Sequence, residues 1–180
     1  MFWFNLKPSK PKTKADLTIM APVSGALVPL EEVPDVVFAE KIVGEGIAIQ
    51  PTQGRIVAPC SCIIQEIFET NHAIVLNATP KNLIIFIHIG INTVELKKEK
   101  IFNRLVEEGD SVHAGDPLLS FDLDLLQKKA TSTITPIVIS ASCRKLIKSI
   151  QKKQSGNCTA GETPILEVFL NHEENKNNDL

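Results

Sequence analysis

Between residues 17 and 170, apolar residues recur in short runs closed by Gly, Pro, Asn, Asp and Ser. The runs include "IMAPVSGALVPL", "VGEGIAIQP", "GRIVAP", "CIIQEIF", "HAIVL", "LIIFIHI", "DPLLSFDL", "TPIVIS" and "TPILEVFL". They are rich in Val, Ile and Phe, and their spacing is that of strands joined by turns. The pattern predicts an all-β chain, an antiparallel β-sandwich or barrel-like fold with a few short helices. Two segments carry helical spacing. "SASCRKLIKSIQKK" puts Leu146, Ile147 and Ile150 on one face with Ser142 as N-cap, and "DLDLLQKKA" is long enough for a turn or two.

The chain echoes itself. "IMAPVSGALVPL" and "IVAPCSCIIQEI" share Ala-Pro with a serine two residues later, and "VHAGDPLLSF" and "CTAGETPILEV" share Ala-Gly-acid before a strand. Each Ala-Gly-acid segment reads as a turn into a strand. The repetition predicts a pseudo-symmetric sandwich.

Composition supports one globular domain. Of 180 residues, 43% are hydrophobic and the net charge is −2, which gives no footprint for nucleic acid. Three spans follow: a flexible arm over 1–16, a β domain over 17–170 and a polar tail over 171–180. Cys60, Cys62, Cys143 and Cys158 show no zinc-finger spacing and read as reduced cytosolic thiols. The longest apolar run, Leu83 to Ile89, is far short of a bilayer span. In the arm, Phe2, Trp3, Phe4 and Leu6 precede Lys7, Lys10, Lys12 and Lys14, which allows at most peripheral contact with an anionic membrane. Pro8 and Pro11 rule out a long helix there.

Two of the four histidines, His72 and His88, sit in the most strand-like runs. Leu83, Ile85, Ile87 and Ile89 share one strand face, and Ile84, Phe86 and His88 share the other. A hairpin through "ATPKN" that pairs Leu76 with Ile84 places His72 opposite His88, where Cβ atoms lie about 4.5–5.5 Å apart. Thr70 then faces Gly90. Such a pair can supply a nucleophile that carries a covalent group, two ligands to zinc, or two ring systems that are simply bonded to their neighbours.

The stretches "APVSG", "VPDVVFAEKIVGEGIAI", "VAP", "IFETNHA", "IHIGINTVEL", "EEGD", "STITPIVIS" and "GETP" closely resemble the glucose-type enzyme IIA of the bacterial phosphoenolpyruvate-dependent sugar phosphotransferase system. The resemblance runs from about Ile19 to Val168. It implies an antiparallel β-sandwich and a cytoplasmic phosphocarrier. That carrier takes a phosphoryl group from phospho-HPr and passes it to the IIB module of a sugar permease. By the same resemblance, His88 is the phosphohistidine, His72 supports transfer, and Thr70 belongs with His72. Phe38, Phe86 and Ile89 form an apolar rim, and Asp35, Val36, Asn92 and Val94 complete a partner-facing surface. No cofactor is required, although His72 and His88 can share zinc with a partner ligand. The family also regulates permeases, glycerol kinase and adenylate cyclase, so a regulatory docking module is the alternative reading. A zinc hydrolase fits least, because a catalytic zinc takes three protein ligands and a general base.

The chain departs from the family pattern at Asn92, where an aspartate is usual, and at Ala141, Ser142, Cys143 and Arg144, where acidic residues are usual. The N-terminal arm differs as well. These changes predict a partner-facing rim that is less acidic than the family's.

Overall fold

The computed structural model describes residues 14–94, 96 and 100–171. In chain order its strands are β1 (Leu17–Met20), β2 (Gly25–Val28), β3 (Gly44–Pro51), β4 (Arg55–Val57), β5 (Cys62–Ile67), β6 (Ala73–Ala78) and β7 (Leu83–His88). They continue as β8 (Phe102–Arg104), β9 (Ser111–Val112), β10 (Pro117–Phe121), β11 (Thr135–Ser140), β12 (Ile147–Lys152), β13 (Asn157–Cys158) and β14 (Pro164–Leu170). Two short helices interrupt them, α1 (Val36–Ala39) and α2 (Leu123–Lys129). The aromatic and lysine residues of the arm up to Lys12, and His172 with the rest of the tail, lie outside the described residues. No helix among the described residues is long and apolar enough to cross a membrane.

The strands form one eight-stranded sheet, in the order β13-β2-β3-β11-β7-β6-β5-β9, and two three-stranded sheets, β1-β14-β12 and β4-β10-β8. Neighbouring strands are antiparallel throughout. The antiparallel β architecture expected from the sequence is the one the chain adopts.

Alternation along β7 divides the core. Leu83, Ile85 and Ile87 are fully buried in the main core with Ile74, Leu76, Ile137 and Ile139. The other face of the same strands carries a smaller cluster of Leu30, Val33, Phe38, Ala48, Ile91 and Val138, against which Phe86 packs. This second face also carries His88. The large sheet is therefore covered on one face by the main core, while its other face carries the smaller apolar cluster beside His88.

The repeats meet in space. Met20 donates its N–H to Pro59 O and Val57 donates to Pro22 O, both at 2.8 Å, so the two Ala-Pro segments pair with each other. Each then closes on one Ala-Gly-acid turn. Ala21 donates to Thr163 O and accepts from Gly161 N, and Ala58 donates to Asp116 O and accepts from Gly115 N. The four bonds are all 2.8 Å. At the centre a Cβ added to Gly161 would stand 3.6 Å from the Cα of Gly115.

Two expectations are corrected. The β6–β7 register pairs Leu76 with Ile85 and Ala73 with His88, one residue away from the hairpin drawn from sequence. The turn spends four residues, not three, because Ala78 pairs with Leu83 and Asn82 takes a left-handed φ of 53°. This register stacks Ile74 on Ile87 and Leu76 on Ile85, all in the main core, and a slip would send one set to the other face. The second correction concerns "SASCRKLIKSIQKK". It is a 3-10 helix over Ala141–Leu146, with Ser140 as N-cap, running into β12. A bulge between Ile147 and Ser149 lets residues three apart share a face, which imitates helical spacing.

Candidate functional site

Both histidines stand at the same end of the β6–β7 hairpin. His88 is the last residue of β7. His72 lies just before β6, after Asn71 at a left-handed φ of 57°. Ile89 donates its N–H to His72 O at 2.7 Å, so the hairpin ladder continues one step beyond the regular strands. The bend at Asn71 turns the His72 ring onto the face of His88. The ring centroids are 4.9 Å apart at 79°, edge to face. The histidines thus meet as expected, although they are not directly opposite each other. The residue opposite His88 is Ala73, whose small side chain leaves room for the ring.

Each ring is held through Nδ1. His88 Nδ1 lies 2.7 Å from Gly90 O. A carbonyl only accepts, so Nδ1 of His88 carries the proton and its Nε2 keeps a lone pair. The Thr70 hydroxyl meets His72 Nδ1. When that hydroxyl donates, His72 carries its proton on Nε2. The two rings then present opposite characters at Nε2, a nucleophile beside a donor.

Aromatic rings wall the pair. Phe38 lies 5.5 Å from His88 and 6.2 Å from Phe86, nearly parallel to the latter. Phe86 is 5.8 Å from His88. Phe68 sets its edge against His72 at 5.6 Å and reaches Phe86 at 5.9 Å. Phe68 was missed from sequence; the signal was an aromatic four residues before His72 in "FETNH".

Electrostatics keep both rings neutral. His72 is 4% exposed, and burial, with His88 adding to it, drives its pKa down to about 4. Burial also lowers that of His88, against the opposing pull of the Gly90 carbonyl and the Asp35 carboxylate. A neutral imidazole is the form that can attack phosphorus.

The remaining expected residues divide. Asp35 caps α1 by accepting from Val37 N at 2.8 Å. Val36 is 64% exposed and Val94 50%, as a contact surface requires. Val37 and Ile42 are exposed beside Val36 and were not singled out from sequence. Phe38 is 4% exposed and acts as the floor under His88. Ile89 is corrected: it is fully buried in the main core, because the step after His88 points through the sheet. Asn92 is exposed at φ 58° and donates its amide to Thr131 Oγ1 at 2.9 Å. Cys143 is also corrected as part of the rim, whereas Arg144 is exposed. Cys143 is buried and accepts from Ile84 N at 3.3 Å, four residues back along β7 from His88, about 13 Å at strand rise.

With both Nδ1 atoms engaged, the pair offers a metal at most two Nε2 atoms, that of His72 only once its proton is lost, which is half of what a closed zinc site takes. Among the described residues, no group of three or more His, Cys, Asp or Glu side chains lies within reach of one ion.

The chain matches the family described as phosphoenolpyruvate-dependent sugar phosphotransferase system, EIIA 1, over residues 17–144. It is 48% identical over 158 residues to the glucose-specific EIIA component of the phosphotransferase system of Haemophilus influenzae, covering 88% of this chain and 92% of that one. The protein of the same description from Oceanobacillus iheyensis is 42% identical over 166 residues, covering 92% and 96%. An N-acetylglucosamine-specific EIICBA component of Klebsiella pneumoniae is 44% identical over 151 residues, which are 84% of this chain and 23% of that one. Among solved structures, the glucose permease IIA from Mycoplasma capricolum superposes with a TM-score of 0.75 at 31% identity, covering 83% of this chain and 94% of the other.

Proposed function

The chain belongs to the EIIA 1 family of the phosphoenolpyruvate-dependent sugar phosphotransferase system, and from that premise we propose that His88 Nε2 is the atom that takes up and hands on the phosphoryl group. The protein is a phosphocarrier, a phosphotransferase component in sugar uptake. The donor is phospho-HPr and the acceptor is the IIB module of a sugar permease.

The observation that carries the assignment is the bond from His88 Nδ1 to Gly90 O, which leaves Nε2 unprotonated. The Nε2 lone pair attacks phosphorus while the N–P bond to the donor histidine breaks, and the electron pair of that bond returns to the donor ring. Positive charge on the new phosphoimidazole is eased by the Gly90 carbonyl and by Asp35. His72, with its proton on Nε2, donates to one phosphoryl oxygen and eases the charge that gathers on it during transfer. In the second step the acceptor's nucleophile attacks the same phosphorus and His88 leaves as the neutral ring. Phe38 and Phe86 flank His88 and limit water at Nε2 between the two steps, and Phe68 does the same beside His72.

The test uses labelled phosphoenolpyruvate, enzyme I and HPr. The wild-type chain becomes labelled with an alkali-stable, acid-labile bond, and His88→Ala does not. Label that persists in His88→Ala refutes the assignment.

A further inference from the structure

We propose that Thr93 is a positioning residue that sets which nitrogen of His88 carries the proton. The inference rests on the reading of His88 as the phosphoryl acceptor, and it concerns how the chain holds that ring ready.

Three consecutive peptide units follow His88, and each is pinned by a different group. The 88–89 unit is held by Ile89 N–H donating to His72 O at 2.7 Å. The 89–90 unit is held at its carbonyl, which accepts from the Thr93 hydroxyl at 3.0 Å. The 90–91 unit is held by Ile91 N–H donating to Ser132 O at 2.8 Å. A trans peptide points its C=O away from its N–H. With Ile91 N–H aimed at Ser132, the Gly90 carbonyl is turned the opposite way, toward His88 Nδ1.

Of the three pins, only Thr93 is a side chain. It is fully buried, so its hydroxyl has no water to fall back on. Its methyl also touches the turn. A Cβ on Gly90 would come within 2.9 Å of Thr93 Cγ2 and within 2.9 Å of Ser132 O, so the turn closes only around a glycine at φ +70°. Thr93 therefore holds the Ile89 carbonyl by its hydroxyl, while its methyl fills the space beside Gly90 that a side chain there would need. Without that hold the 89–90 peptide can tilt between its two pinned neighbours, which shifts the Gly90 Cα and loosens the approach of the Gly90 carbonyl to Nδ1 even while Ile91 stays bonded to Ser132. The proton of His88 then redistributes to Nε2, where it blocks attack on phosphorus. Sequence reasoning gave Thr93 no role, since a threonine in "GINTVEL" carries no signal by itself.

The test reads the tautomer directly, from the imidazole nitrogen shifts and two-bond couplings of His88 in the uniformly 15N-labelled, unphosphorylated protein. Thr93→Val keeps shape and removes the hydroxyl. It is expected to lower the ratio of Nδ1–H to Nε2–H in His88 by about fivefold, the factor a single hydrogen bond of ordinary net strength sets. Thr93→Ser restores the hydroxyl and retains most of the wild-type ratio. In the phosphorylation assay, Thr93→Val loses rate at saturating phospho-HPr in proportion to the fall in the Nδ1–H fraction read by NMR, with the half-saturating concentration unchanged. If Thr93→Val does not fold, Thr93→Ala is read the same way and shifts the ratio in the same direction. A folded Thr93→Val or Thr93→Ala with the wild-type ratio overturns the proposal. Failure of the acceptor assignment would look different, because His88→Ala would still be labelled while the tautomer shift in Thr93→Val remained.

Discussion

Ile89 and His72 are joined by a 2.7 Å hydrogen bond from the backbone N–H of one to the carbonyl of the other, and this bond brings the two histidine rings together. The rings are not cross-strand partners. His72 reaches His88 because the ladder runs one step past β6 and the chain then bends at Asn71. The site thus depends on backbone at the hairpin mouth as much as on the side chains themselves.

On the reading of His88 as acceptor and His72 as donor to the phosphoryl oxygens, the two histidines should fail differently when changed. His72→Gln keeps an N–H donor near the phosphoryl oxygens, so the variant is expected to accept label from phospho-HPr. Its ring anchor to Thr70 is lost, and onward transfer to IIB should slow by about a hundredfold, within the range for a misplaced proton donor. Single-turnover transfer in each direction is the measurement. Normal onward transfer with acceptance lost would contradict the division.

Ala73 is fully buried and directly opposite His88, so its size sets the room for the ring. Ala73→Val should cost about 1–3 kcal/mol from overpacking. It should also displace the imidazole and reduce acceptance at least about tenfold. Urea unfolding and initial phosphorylation rates check the two effects. Full activity in a stable Ala73→Val protein would show that the ring has slack the structure does not suggest.

Stability should follow pH through His72. Its pKa is about 4 in the folded chain, against about 6.5 when unfolded. Between those values the unfolded chain binds the extra proton, so stability is complete above about pH 6.5 and falls as pH drops toward about 4. The full drop from this residue is up to about 3 kcal/mol. His88 is lowered in the same direction and adds to it. Urea midpoints from pH 4 to 8 should slope in this window, and the slope should be shallower in His72→Gln. An identical slope in both proteins would place the titration elsewhere.

Asn92 carries no charge, while its amide bond to Thr131 survives in an aspartate as a bond accepted from the Thr131 hydroxyl. Asparagine and aspartate both tolerate its left-handed φ. Asn92→Asp is therefore expected to fold normally and to raise the association rate with a basic HPr about twofold at low ionic strength, a gain that fades with salt. Transfer rate against salt concentration for both proteins decides it. No difference at any salt would remove Asn92 from the steering surface.

Chelation should leave the fold unchanged. The two histidines offer two Nε2 ligands where a structural zinc takes four. A thermal midpoint within about 1 °C with and without a strong chelator is expected. A large fall would reveal a metal site of another kind.

Much of this was legible in the sequence for a physical reason. Period-two alternation in "LIIFIHI" reports burial on one face of β7, and burial is what the fold is built on. The Ala-Pro and Ala-Gly-acid echoes were visible, and they do meet in space. Register was not legible, since a four-residue turn ending in a left-handed Asn82 differs from a three-residue one by backbone torsions alone. The β12 bulge hid a strand behind helical spacing. At the site, the histidines announced themselves, whereas Ile89 was placed on the rim with Phe38 and Phe86 although alternation had already put it with Ile85 and Ile87 on the face opposite His88, where it is buried. Phe68 and Thr93 were silent because an aromatic or a threonine in a turn gains meaning only from what it touches.

The pairing of β1 with β14 sets Leu17 beside Val168. Both strands belong to a sheet that carries neither histidine. A polypeptide tethered before β1 or after β14 therefore pulls on the same corner of the domain. Tension applied there loads the seam between the first and last strands, while the β6–β7 hairpin bears none of it directly. A leash joined on either side would therefore attach to a different sheet from the one that carries His88, and leave the mouth of the β6–β7 hairpin unobstructed.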